Sequence, residues 1–407
     1  MSLLGILSLL CIAFGLSSHR RQVNWHTVGA AFALQFALGA FALYLPQGKV
    51  VLNHASLGVS RVLSYANDGI NFLFGDIGQQ KLGFIFAFNV LPVIIFFSAL
   101  VSVLYYLGIM TWIIRILGGA LQKLLKTSRA ESLSATANIF VSQTEAPVVI
   151  RPYLASMSRS ELFAVMVGGM ATVAGSILAG YVGLGVELKY LLAASFMAAP
   201  GGFLMAKLLV PETRDIAARQ HSVVSAEQYV NIFDAAASGA SNGMKLAVNI
   251  GAMLLAFIAL IALLNGLLGW LGSLVGYPNL SLQNLLGLCF QPIAFMVGIP
   301  WQESAIAGSL IGQKLVLNEF VAFVDFASVK PGLSEHSRAV VTFALCGFAN
   351  FSSIAILLGG IGTMAPQRRS DLAQLGLRAV LAAFMANLMS AAIASFFLSL
   401  SPAFAAA

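Results

Sequence analysis

Residues 141–152 read VSQTEAPVVIRP. An acid, an amide, two hydroxyls and an arginine in so short a run are out of keeping with the apolar chain around them. The run SLSATANIFVS leads into the polar tip and VVIRPYLASM leads away from it. As helices, arms of about ten residues reach only about 15 Å, half of the hydrocarbon core of a bilayer. Segment 132–156 is therefore predicted to enter a membrane, turn at QTEAP and leave by the same face, with Pro147 suited to the first turn of the returning arm.

The rest of the chain fits a membrane setting. Its 407 residues are 59% hydrophobic and 9% charged, and mean hydropathy is +0.90, whereas soluble domains average about 25% charged. The net charge of +7 is spread over 22 Lys and Arg lying singly or in short clusters between apolar runs, which fits a positive bias of cytoplasmic loops better than nucleic-acid binding. Cys11, Cys289 and Cys346 sit in apolar runs without CxxC spacing, so they read as packing residues, not a disulfide frame or a metal site.

A ruler of about 20 apolar residues per span gives eight transmembrane helices, at 2–17, 27–45, 84–113, 160–183, 190–209, 246–272, 339–361 and 372–398. The first lacks a basic leader and is followed at once by His19, Arg20 and Arg21, the reverse of a secretory signal. With both termini outside, the inner loops collect Arg20 and Arg21; Arg115, Lys123, Lys126 and Arg129; Lys207, Arg214 and Arg219; and Arg368 and Arg369. Apolar residues of 52–76 recur at helical intervals, as in a helix lying on the membrane surface, with a plain loop as the alternative.

A second apolar segment, 285–311, is broken in the same way: LLGLCFQPIAFMVGIP meets WQES, and AIAGSLIGQKL returns. The spans after the two hairpins are also interrupted, at ATVAGSILAGY (171–181) and CGFANFSSIAILLGGIG (346–362). The predicted fold is thus an all-α polytopic membrane protein with eight transmembrane helices, two re-entrant hairpins and inverted repeats with discontinuous helices, an architecture of secondary transporters. Its parts are 1–131, scaffold helices with an interfacial helix; 132–209, first repeat; 210–284, a cytoplasmic connection, a long scaffold helix and an outer segment; and 285–407, second repeat.

Irregular backbone in a bilayer must be covered by protein or line a wet cavity, so the four breaks should meet around one site. A carboxylate at that depth costs roughly 2.5–3.5 kcal/mol on insertion scales, which makes Glu145 and Glu303 site candidates. The plainer reading of Glu145 is an ion pair with Arg151; Asn350, Ser352 and Ser353 could equally be interhelical packing groups.

The strings NIFVSQTEAPVVIRPYL (138–154), AASFMAAPGGFLMAKLLVPET (193–213), FDAAASGASNGMKLAVNIGAML (233–254), GIPWQESAIAG (298–308) and FALCGFANFSSIAILLGGIGTMAP (343–366) resemble those of the concentrative nucleoside transporter family, in its order and over nearly the whole chain. The resemblance implies a homotrimer in a bacterial inner membrane, each protomer having a scaffold and a mobile transport part, and symport of nucleoside with sodium by alternating access. It further implies that Gln143, Thr144 and Glu145 contact the base, with Ile177 nearby. Glu303, Asn350 and Ser353 would hold the ribose hydroxyls, and Phe348 would line the pocket. Sodium would be held by Asn138, the Val141 carbonyl, Thr172 and the Val173 carbonyl, and no further cofactor is implied. Ser142, where other members carry Gly, adjoins Gln143 and bears on base choice; pyrimidine nucleosides such as uridine are favoured.

The chemistry agrees with these roles. A carboxylate accepts from two ribose hydroxyls, a Gln both donates to and accepts from a base edge, and oxygen ligands from unwound backbone suit a hard cation. One sodium falling through about 100 mV supplies roughly 2.3 kcal/mol, about fifty-fold in concentration.

An intramembrane hydrolase would want a His beside a nucleophile or metal, but His19, His26, His54, His221 and His336 fall in loops or near span ends, so no enzyme is expected. A channel would not need a repeated unit with a distinct acid in each half. A proton-coupled nucleoside symporter, or a symporter of another small polar solute, are the alternatives.

Overall fold

A computed structural model describes residues 1–79, 81, 83–213, 229–274, 276–277 and 280–401. Arg214, Arg219 and His221, placed in inner or peripheral loops above, lie outside the described residues. Among the described residues every element is a helix or a helical turn.

Helix α1 (Ser2–Gly15) and α2 (Trp25–Gly39) open the chain; the Asn24 side chain caps α2 by accepting from the amides of His26 and Thr27. Helices α3 (Pro46–Ser64) and α4 (Ala66–Phe74) cover the stretch predicted to be helical at 52–76. Next come α5 (Phe86–Asn89) and α6 (Leu91–Tyr106). The single span expected over 84–113 is corrected here. The chain turns at Gly108, whose φ of 74° suits only glycine without strain, and α7 (Ile109–Leu125) sets off separately. Met110, Ile114, Gly118, Leu121 and Leu125 form one buried stripe, so α7 lies along the bundle as an amphipathic helix.

The first unit contains α8 (Arg129–Ala137), a 3-10 turn (Ala146–Ile150) with Pro147 in its first turn, α9 (Arg151–Leu154), α10 (Arg159–Ala171), α11 (Gly175–Gly183) and α12 (Leu188–Leu209). Helix α13 (Ile232–Leu274) has 43 residues, about 65 Å at 1.5 Å per residue; the span expected at 246–272 is only its later part. After α14 (Leu282–Met296) the second unit contains α15 (Trp301–Val316), α16 (Glu319–Val329), α17 (Glu335–Leu345), α18 (Ser352–Met364) and α19 (Arg369–Ser399).

Six helical stretches among the described residues are long and apolar enough to cross a bilayer: Trp25–Tyr44, Phe86–Tyr106, Arg159–Gly183, Leu188–Leu209, Ile232–Leu274 and Pro366–Ser399. The other expected spans are the 14-residue α1 and the interrupted pair α17 and α18. Two kinds of helix result. Arg159–Gly183 is 94% buried along its apolar window, and Leu188–Leu209 and Pro366–Ser399 are 89% buried, whereas Phe86–Tyr106 and Ile232–Leu274 are only 11% and 22% buried. The former are the inside of a polar-centred bundle; the latter frame it and leave their apolar sides for lipid.

Helix α19 acts as a ruler for direction. Just before its start, the Arg368 guanidinium donates to the carbonyls of Leu154, Ala155 and Met157, at the entry to α10. Near its end, Ser395 meets His336, at the entry to α17. Between these, Asn387 donates to the carbonyls of Ala171 (2.7 Å) and Cys346 (3.0 Å), where α10 and α17 stop. The two broken helices thus enter from opposite ends of α19 and end at one depth, so the two units run in opposite directions.

The second hairpin is not where the sequence placed it. The turn between α14 and α15, Val297–Pro300, with WQES opening α15 directly after it, sits at the entry end: Gly298 and His336 both meet Ser395. Helix α15 then carries the chain inward until the Lys314 ammonium reaches Asn387 Oδ1 at 2.6 Å. The re-entrant turn is Leu317–Asn318, with the Asn318 side chain accepting from the Val321 amide to start α16. Pro300 marks the outer turn, not the tip.

Candidate functional site

Backbone hydrogen bonds join the four breaks in series. Gly175 N donates to Phe140 O (3.0 Å), tying the α10–α11 break to the first hairpin; Phe348 N donates to Thr172 O (3.3 Å), tying the two breaks together; and Phe351 N donates to Leu315 O (3.2 Å), tying the α17–α18 break to the second hairpin. Gly347 makes the middle link possible, since a Cβ there would lie 2.6 Å from Ala171 O. Helices α11 and α18 begin at this centre and α10 and α17 end at it, so positive and negative dipole ends are interleaved around one small volume.

Side chains complete the junction. Gln143 Nε2 donates to Ser353 Oγ (3.2 Å), linking the first hairpin tip to the start of α18 across 210 residues. Ser353 Oγ donates in turn to Phe348 O (2.6 Å), and Ser353 N donates to Asn350 Oδ1 (3.0 Å). Asn350 Nδ2 donates to Glu319 Oε2 at 2.9 Å. Thr144 packs on α18, where a Cβ on Gly360 would lie 2.8 Å from its Cγ2. Gln143, Glu319, Asn350, Ser353, Ile177 and Phe348 are all buried.

Two of the expected site residues carry buried polar groups with no hydrogen-bond partner among the described residues. Gln143 Oε1 is one, and both atoms of the Asn138 carboxamide are the other; an unmade hydrogen bond at such a place costs about 1–3 kcal/mol, which marks a position built for something else to bind. Thr172 Oγ1 donates to Gly168 O (2.8 Å), leaving its lone pairs free. The backbone of Val141 and Val173 is non-helical.

Glu145 is exposed and accepts from the Ser142 amide at 3.0 Å. It faces a cavity of about 130 Å³ between the first hairpin and the framing helices, lined also by Ser98, Arg115, Val141, Ser176 and Asn242. No ion pair between Glu145 and Arg151 occurs among the described residues.

Glu303 is a correction. Its carboxylate accepts from Ser334 N (3.2 Å) and Ser334 Oγ (2.9 Å), at the N-cap of α17. Asn350 lies beyond the other end of that 11-residue helix, about 16 Å away along its axis. The acid that meets Asn350 is Glu319. The sequence signal was there: Asn318 is a helix-capping residue directly before an acid, four residues after a lysine, inside an apolar run.

A bundle whose re-entrant turns and helix breaks meet at mid-depth, wrapped by lipid-facing helices, is a membrane transporter fold. Comparison with known proteins then gives the family. Residues 190–395 match the model of the Na+ dependent nucleoside transporter C-terminus, 4–77 that of its N-terminus, and 87–187 a nucleoside recognition model. The chain is 51% identical to the nucleoside permease NupC of Helicobacter pylori, over 98% of each chain. It is 39% identical to sodium/nucleoside cotransporter 1 of Homo sapiens, over 97% of this chain and 63% of that one. The solved structure of CNTnw in an inward-facing substrate-bound state superposes with a TM-score of 0.95 at 54% identity, covering 98% of both chains. The chain belongs to the sodium-dependent, concentrative nucleoside transporter family, a family of transporters and not of enzymes.

Proposed function

We propose that the chain imports nucleosides, pyrimidine nucleosides such as uridine foremost, by symport with sodium across a bacterial inner membrane, as a homotrimer with both termini outside. The observation that carries this reading is the Gln143–Ser353 and Asn350–Glu319 pairing, which brings an amide-bearing hairpin tip and a carboxylate from opposite halves of the chain to one depth.

In this reading Gln143 turns to the base edge with its unpartnered Oε1, Thr144 and Glu145 contact the base from the same tip, and Ile177 and Phe348 supply apolar walls. Glu319 and Asn350, with Ser353, take the ribose hydroxyls. A nucleoside would replace their mutual hydrogen bonds by its own, so the pair is satisfied with or without cargo. Sodium is cargo too. The Asn138 amide oxygen, the Thr172 hydroxyl and the Val141 and Val173 carbonyls are a hard-oxygen set, and the orphaned Asn138 carboxamide fits a cation that completes it. Because this set is bound to the base-contacting tip through Gly175 N and Phe140 O, ion and nucleoside would order the same few residues. Each therefore raises the affinity of the other.

The test is uptake of labelled uridine into liposomes holding the purified protein, with an inward sodium gradient and with a proton gradient alone. Accumulation above equilibrium only with sodium is expected. Accumulation with protons alone would transfer the coupling to protons, and absence of uptake under either gradient would remove uridine as the solute.

A further inference from the structure

Lys314 is fully buried. Its ammonium donates to Ala344 O (2.7 Å) and Asn387 Oδ1 (2.6 Å), and no carboxylate lies within ion-pair distance of it among the described residues. The Phe384 ring lies 6.0 Å from the ammonium, and a buried charge held by a carbonyl, an amide oxygen and a ring face, with no counter-charge, is costly unless the charge itself is wanted. These are also ligands of the kind a small cation takes.

Its position answers that of Asn138. Each residue lies late on the incoming arm of its hairpin, a few residues before the acid at the tip: Asn138 before Glu145, Lys314 before Glu319. Each faces the end of the first half of a broken helix. Asn138 lies against the last turn of α10, where a Cβ on Gly168 would be 3.7 Å from its Nδ2; Lys314 binds a carbonyl of the last turn of α17. Both helix ends are negative dipole ends and favour a cation. In the first unit the side chain is a neutral carboxamide with no partner. In the second it brings a positive charge of its own.

We propose that Lys314 is a tethered cation, filling in the second repeat the place that the coupling ion takes in the first. The inference rests on the sodium-symport reading above. It makes the two halves unequal by design: the second hairpin stays docked on its broken helix without an ion, and only the first depends on one. Asn387, which binds both helix ends and the ammonium, connects the fixed cation to the exchangeable one.

The experiment is sodium-driven uptake of labelled uridine by Lys314→Ala in liposomes, with methylammonium or with tetramethylammonium at equal ionic strength on both faces. Removing the charge leaves two buried acceptors open, so uptake is expected to fall about tenfold or more. Methylammonium, small enough to enter, should restore it several-fold; tetramethylammonium should not. Lys314→Gln guards against a folding defect, since it keeps a hydrogen-bond donor without the charge. It should melt cooperatively in detergent while its uptake falls about tenfold. Parental uptake by Lys314→Gln overturns the proposal, as does a Lys314→Ala protein whose uptake and melting temperature ignore methylammonium. The parental protein separates the two readings: if its own uptake ignores sodium, the symport reading fails; if it is sodium-driven and the charge-free variants behave as the parent, the tethered cation alone fails.

Discussion

The two hairpins do the same geometric job with different materials. The first turns through a polar tip, Ser142–Glu145, with a buried glutamine whose oxygen is unpartnered and an exposed carboxylate that faces a cavity. The second turns at Leu317–Asn318, and the two charged side chains beside that turn, Lys314 and Glu319, are buried and hydrogen-bonded to protein. The first hairpin is also clamped at its base by a buried ion pair, Lys207 Nζ to Glu131 Oε2 at 2.8 Å, with Ser160 as a further acceptor for the ammonium. The difference teaches that an inverted repeat need preserve only backbone paths. Once two helix ends meet at one depth, each half can answer its dipoles with a different cation and its cargo with a different polar set.

The contrast can be attacked where it is most costly. Lys207→Met leaves Glu131 charged and unpaired in the interior, so it should lower stability by about 3–5 kcal/mol, read as a drop in the detergent melting temperature; the half-exposed pair Arg159–Asp371, at 3.7 Å, should give less than about 1 kcal/mol when broken. Equal effects would mean that the base clamp is not special to the first hairpin. Next in size, Glu319→Gln should cut uridine uptake about a hundredfold, because a buried acceptor of a charged hydrogen bond is worth about 1.5–3 kcal/mol; transport assays in liposomes decide it. A smaller effect tests the tip from outside. On Gly169 a Cβ would lie 2.9 Å from Gln143 Cβ, so Gly169→Ala should raise KM for uridine about tenfold by shifting the glutamine, the equivalent of about 1.4 kcal/mol. Smallest of all, Glu303→Gln should leave uptake within about twofold, since its partner Ser334 belongs to a helix cap. A collapse of uptake there would reinstate Glu303 and undo the assignment of Glu319.

The first half could be read from sequence and the second only in part, for a physical reason. A re-entrant tip is visible when it breaks an apolar run with residues that cannot be left in lipid, as Gln143, Thr144 and Glu145 do, and when a proline opens the returning arm. At the second tip Leu317 is apolar and Asn318 turns the chain by capping alone, with neither Pro nor Gly. Pro300 and the polar WQES run lie one helix earlier, at the surface turn, and so attracted the reading. Likewise, α7 was merged with α6 because Leu107–Gly108 hardly interrupts an apolar stretch; only the positive φ of Gly108 shows that the direction changes there. Gln143, Asn350, Ser353 and the orphaned Asn138 were accessible because polar residues beside a break stand out in a chain with 9% charge.

Asn387 has a consequence for how the protein is made. It is carried by α19, the last helix of the described chain, yet it holds the ends of both α10 and α17 and the ammonium of Lys314. Helix α8, with its serines, threonine and glutamate, is too polar to partition into lipid unaided. Synthesis from the N-terminus can therefore lay down the framing helices early. The first hairpin can pack on α7, α10 and α12 as these emerge, but the ends of α10 and α17 are tied together only when α19 follows, so until then the ribosome has delivered a ring of walls around an unfinished room. A nascent chain arrested between residues 346 and 387 should leave Cys346, where α17 stops, open to thiol reagents from the aqueous side, and extension past that one asparagine should close it.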